Sequence, residues 1–163
     1  MAAPVNPTLT QFIDPAFWTT EVFNRFTAMT SGWTSYTPTW TGSTTNPTVG
    51  NGTLTGAYKR WDAVGHLIVF RIRLVMGSTT GYGSGQWSFA LPASPVAATA
   101  VHGHALDVAP SNTRYALTGV ASSTGGGTVE RVAVNGTTLG IASTVPMTWA
   151  TGDVLTLGGT IEV

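Results

Sequence analysis

The stretch His66-Leu67-Ile68-Val69-Phe70-Arg71-Ile72-Arg73-Leu74-Val75-Met76 decides the fold class of this chain. Ile68, Phe70, Ile72, Leu74 and Met76 fall on one face, and Leu67, Val69, Arg71, Arg73 and Val75 on the other. Successive side chains of a strand point to opposite sides, so this strict period of two predicts a strand with an apolar inner face and an outer face carrying two arginines. Those arginines are candidates for a subunit contact or for pairing with an acid on a neighbouring strand; a solvated sheet face is the default.

Outward from this strand the same signal recurs. Thr53 to Trp61 forms a second strand, with Leu54, Tyr58 and Arg60 on one side and Lys59 on the other, preceded by an Asn51-Gly52 turn signal. The short connection Trp61 to Gly65 makes the pair a hairpin. Residues 77–85, rich in Gly, Ser and Thr, are expected to be a mobile loop. Trp87, Phe89 and Leu91 alternate before Pro92, and His102, His104, Leu106 and Val108 alternate before Pro110. Further strands are expected over Tyr115 to Ala121, Thr128 to Val134, Thr137 to Ala142 after an Asn135-Gly136 turn, and Asp153 to Val163. With no helix between them, the strands pair mainly antiparallel, because parallel crossovers need a dozen or more residues. The expected architecture is all-β: an antiparallel, jelly-roll-like β-sandwich of eight or nine strands over residues 33–163.

The front of the chain is different. Residues 1–11 read as an extended arm, and Asp14 followed by Pro15 reads as the start of a helix running to Met29. Trp18, Val22, Phe26 and Met29 lie on one face and Phe23 widens it, while Phe12 and Phe17 add further apolar area. An isolated helix of this length is marginal in water and needs something to pack against. It either covers its own β-domain or docks the protein on a larger assembly, so residues 1–32 are set apart as an arm and docking helix.

Composition narrows the function. Charged residues are 9% of the chain, against about 25% in an ordinary soluble domain, and seven basic residues balance seven acidic ones. Nucleic-acid binding needs clustered Lys and Arg, and adhesion to anionic lipid needs basic runs, so neither partner is expected. Without cysteine the chain can build no disulfide or thiolate metal site. No secretory leader and no apolar run long enough to span a bilayer are read from the sequence.

Catalysis finds little support. The acids Asp14, Glu21, Asp62, Asp107, Glu130, Asp153 and Glu162 sit mostly at expected turns or helix starts. No Gly-x-Ser-x-Gly elbow is present, and no helix start with a Lys follows the glycines at 81–85 or 125–127. The expectation is a protein that is not an enzyme and takes no cofactor. His102 and His104 share a strand face and are a weak metal candidate, completed only if a trimer axis brought three pairs together. Tyr82 and Trp149, as exposed aromatics at loop ends, would suit stacking against a sugar.

Several stretches carry a resemblance. Tyr36-Thr37-Pro38-Thr39-Trp40-Thr41-Gly42, Gly50-Asn51-Gly52-Thr53-Leu54-Thr55-Gly56, Tyr58-Lys59-Arg60, Phe70-Arg71-Ile72-Arg73-Leu74, Gln86-Trp87-Ser88-Phe89-Ala90-Leu91-Pro92 and the closing Gly152 to Val163 resemble the β-rich domain of virion proteins of tailed bacteriophages, especially those infecting actinobacteria. The resemblance covers residues 33–163. It implies a structural protein, commonly a homotrimer, displayed on the particle exterior as a capsid decoration or head fibre beside the major capsid protein. The alternative it implies is a tail fibre or minor tail protein that binds a host-surface glycan. It transfers no catalytic residues, and the absence of an extended shaft before the β-domain favours the compact decoration protein.

Overall fold

A computed structural model describes residues 15–23, 26–27, 30–61, 66–109, 112–123, 127–137 and 139–163. The fold is all-β and antiparallel, and the described residues form nine strands: β1 Thr34–Tyr36, β2 Trp40–Gly42, β3 Thr53–Trp61, β4 Leu67–Val75, β5 Trp87–Ala90, β6 Thr99–Asp107, β7 Thr113–Ser122, β8 Thr128–Val134 and β9 Val154–Glu162. They form one continuous hydrogen-bonded sheet in the order β1-β3-β4-β9-β6-β7-β8-β5-β2. The layers expected of a sandwich are therefore parts of a single curled sheet.

The curl follows from chain length. β1 and β2 lie at opposite edges, yet only Thr37, Pro38 and Thr39 separate them. Laid flat, eight inter-strand gaps of about 4.8 Å would put the edges about 38 Å apart. Four residue steps from Tyr36 to Trp40 reach at most about 14 Å. The sheet must roll up until its edges nearly meet, and the bent strand Thr34–Gly42 forms the corner that joins them. The Ala90 N–H donates to the Thr39 carbonyl at 2.9 Å, so pairing with β5 begins inside the corner.

The inner faces converge on one core. Ile68, Phe70, Ile72 and Leu74 of β4, with Met76 just beyond it, are buried as their alternation predicts, and Leu155, Leu157 and Ile161 of β9 join them. Beneath β2 and β5, Trp40 meets Trp87 edge-on at 4.8 Å and stacks on Phe89 at 6.1 Å; Trp87 packs on Trp149 at 5.2 Å. Such pairs add about 0.5–1.5 kcal/mol each beyond their buried area. At the corner, the Tyr36 ring lies against Gly56 on β3, where any added Cβ would collide with it.

Three expectations change. Residues 77–85 are tied down rather than loose. Asn51 Oδ1 accepts from the Thr79 N–H at 2.9 Å, Asn51 Nδ2 donates to Ser78 Oγ at 2.9 Å, and bridges join Thr48 to Gly81 and Thr45 to Ser84. Side-chain partners thus replace the regular ladder that so many glycines could not sustain. The described residues among 137–142 form no strand, although Asn135-Gly136 does turn, with Gly136 at φ 81°. Instead Ile141 sits between two strands, its N–H donating to Val132 and its carbonyl accepting from Trp87, beside an isolated bridge of Gly140 to Ala133. Finally, the expected helix is not α-helical throughout: the described residues show α1, Pro15–Phe17, then a π-helix, Trp18–Phe23, with Phe26, Thr27 and Thr30 again helical. Asp14 and Met29 lie outside the described residues.

One carboxylate closes the turn before β9 and ties it to the end of β6. Asp153 is 1% exposed; its Oδ1 accepts from the Val108 N–H at 2.9 Å and its Oδ2 from the Ala150 N–H at 2.8 Å. Asp153→Ala would remove both hydrogen bonds, at about 1–2 kcal/mol each because the donors belong to the exposed residues Val108 and Ala150, which water can reach. Urea denaturation should show a loss of about 2–4 kcal/mol, with an unchanged m-value.

The Tyr36 hydroxyl is buried and has no hydrogen-bond partner among the described residues, and burial pushes its pKa far above the ordinary tyrosine value. The folded protein then retains this proton where the unfolded chain has released it, so stability should fall as pH rises past about 10. Tyr36→Phe removes an unsatisfied polar group. It should leave stability at neutral pH unchanged or slightly raised, and should flatten the alkaline decline seen in denaturation curves.

Candidate functional site

Two surfaces of the molecule stand apart from the closed core. The first is the helical segment ahead of β1. Trp18 is 49% exposed, Phe23 67% and Phe26 64%, and Val22 is also exposed. With Thr19 these side chains line a shallow apolar hollow of about 450 Å³. The hollow is built by the segment on itself, with no β-domain residue in its lining. Phe12 and Met29 of the expected anchor lie outside the described residues, and of Phe17 the backbone alone is described.

The second surface is the outward face of β3, β4, β9 and β6. The ladder register makes it a grid. One row runs Ala57, Arg71, Gly158, His102 and the next Thr55, Arg73, Thr156, His104. The alternation that buries Ile72 therefore places Arg71 and Arg73 outward, and that which buries Val101 and Ala105 places His102 and His104 outward. The two histidines do project together, as their spacing predicts, but the charged side chains nearest them across β9 are the two arginines. Among the described residues no three His, Asp or Glu side chains gather as a metal site. Glu162, the acid on this face of these four strands, lies four residues along β9 from Gly158, about 13 Å away.

At the edge of the grid, β1 adds Ser35 beside Ala57. Trp33, two residues earlier, receives the Arg71 guanidinium over its ring at 4.7 Å. A groove of about 510 Å³ opens here, lined in part by Ser35, Thr55, Ala57, Arg71, Arg73 and Thr156. The pairing of the arginines with an acid on a neighbouring strand is not seen among the described residues. The sequence singled out the shared faces of the arginine and histidine pairs. It did not reveal that β9 would bring both pairs onto one grid, because β4 and β6 are separated by β5 in the chain.

The aromatic pair expected to meet a sugar divides. Tyr82 is half-buried against the core, with its backbone carbonyl accepting from Trp87 Nε1 at 3.0 Å; burial, then the nearby Asp153 charge, raises its pKa. Trp149 is 3% exposed, and its Nε1 donates to the Ala142 carbonyl at 2.9 Å. Its place against Trp87 makes it a core residue, so it cannot stack on an outside ligand. A loop of small residues around an aromatic signals exposure in the sequence, but here the loop folds over the open end of the curl and carries the ring inside.

No protein-family model, curated protein or solved structure matches the chain.

Because Trp149 fills core volume, Trp149→Ala should destabilise by about 3–5 kcal/mol in urea denaturation. In acrylamide quenching, Trp18→Phe and Trp33→Phe should each remove accessible fluorescence, whereas Trp149→Phe should remove shielded fluorescence alone.

Proposed function

We propose that this chain is a structural attachment module, built to be displayed on a larger assembly and not to catalyse. The observation that carries this reading is the exposure of Trp18, Val22, Phe23 and Phe26 on one short segment beside a β-domain that already encloses its own core. Exposed apolar clusters of this kind mark protein contacts. Burying these four side chains in a partner would contribute about 1.5–3 kcal/mol each. That supports anchorage of the segment in another protein, with the β-domain held outside.

The resemblance of residues 33–163 to virion proteins of tailed bacteriophages supplies the setting: a decoration or head-fibre protein on the particle exterior, seated on the major capsid protein. A homotrimer would present three apolar segments together and convert modest single contacts into durable attachment. The low charge content and the many threonines are compatible with a surface that works by packing and display.

Deletion of residues 1–30 tests this. The truncated protein should keep the β-sheet circular dichroism and the urea midpoint of the full chain, yet fail to co-sediment with particles that incorporate the full chain. Sedimentation equilibrium of the full chain should give three times the chain mass. Normal incorporation of the truncated protein would overturn the assignment.

A further inference from the structure

We infer that the groove on the outward face of β3, β4 and β9 is a binding site for a carboxylate-bearing saccharide, with Arg71 and Arg73 receiving the carboxylate. The inference goes beyond the attachment role and does not depend on it, since the groove lies on the β-domain and the anchor on the N-terminal segment.

Charge selects an anion. Arg71 and Arg73 are exposed, two residues apart on one strand face, and neither forms an ion pair with a described residue. His102 and His104 extend the same face two strands away, about 9.6 Å across β9. With Glu162 far along the strand, the field over the groove is positive. A guanidinium fork matches the two oxygens of a carboxylate, a geometry that lysine cannot reproduce.

Shape and the remaining lining select a sugar. A volume of about 510 Å³ is far larger than a bare phosphate or sulfate and falls within the range of small-molecule sites. Ser35, Thr55 and Thr156 place three hydroxyls around it, of which Thr55 Oγ1 already donates to the Arg73 carbonyl at 3.4 Å and so offers a polyol its lone pairs. Ala57 and the neighbouring Gly158 keep the floor low, so a ring can approach the sheet. Trp33 stacks on Arg71 and holds that guanidinium at the rim. The fixed arginine, the free arginine and the hydroxyls together read one charged group and several hydroxyls on a single ring.

The test is titration of the full chain, followed by amide chemical shifts, with tri-galacturonic acid and N-acetylneuraminic acid as acidic probes and maltotriose and inorganic phosphate as controls. At least one acidic probe should bind, shifting the amides of Thr55, Arg73 and Thr156, and binding should weaken as salt rises to about 0.15 M. Arg73→Gln and Arg71→Gln should each weaken it by about tenfold or more, while the urea midpoint stays at that of the parent chain. Trp33→Ala should weaken it less. Failure of both acidic probes to bind would overturn the inference. So would maltotriose or phosphate binding as tightly as the acidic probes, or an affinity unchanged in both arginine variants. Normal particle incorporation of the chain lacking residues 1–30, with saccharide binding intact, would instead count against the anchor alone.

Discussion

The three-residue corner Thr37-Pro38-Thr39 is the constraint on which the rest of this molecule depends. It ties two edges that a flat sheet would hold nearly three times farther apart than the chain can reach. Curling then gives the sheet one inner face, and that face fills with Trp40, Trp87, Phe89, Phe70 and the aliphatic side chains of β4 and β9. Each edge strand is three residues long, which keeps the unpaired backbone at both edges short. The Tyr36 ring against Gly56 and the Trp40 indole against Trp87 and Phe89 clamp the corner from its two ends.

Once the core is closed in this way, two features are left over, and they divide the functional reading between them. The apolar side chains of the N-terminal segment are not needed to complete the sheet's interior, so they remain available to a partner. The outward grid of arginines, histidines and hydroxyls is equally unneeded for stability. A sheet face that served only solvation could carry its charges in any mixture of signs, whereas this one gathers Arg71, Arg73, His102 and His104 with one acid at the far end.

Much of the fold was legible because strands announce themselves by parity. The stretch from His66 to Met76 named its five buried side chains correctly, and the buried Leu155, Leu157 and Ile161 of β9 obey the same parity. What the sequence could not convey was long-range. Nothing local to Trp33–Pro47 says that two three-residue strands will sit at opposite edges of one sheet. The hydrogen-bond network of Asn51 with Ser78 and Thr79 spans nearly thirty residues, so the glycine-rich stretch reads as loose until its partner is in place. Trp149 was misread for the same reason: its loop is exposed by composition, while its burial depends on Trp87 and on the carbonyl of Ala142. Of the candidate sites, the pairs were visible and their juxtaposition was not, because strand order β4-β9-β6 is set by the curl and not by local pattern.

Native-state hydrogen exchange across the corner addresses the closure directly. If the bent strand is the clasp of the sheet, the Ala90 amide, bonded to Thr39, and the amides of the β1–β3 ladder should open together with one free energy and one denaturant dependence. Independent opening of the two edges, with β1 fraying at a free energy well below that of Ala90, would contradict the claim that this corner closes the fold.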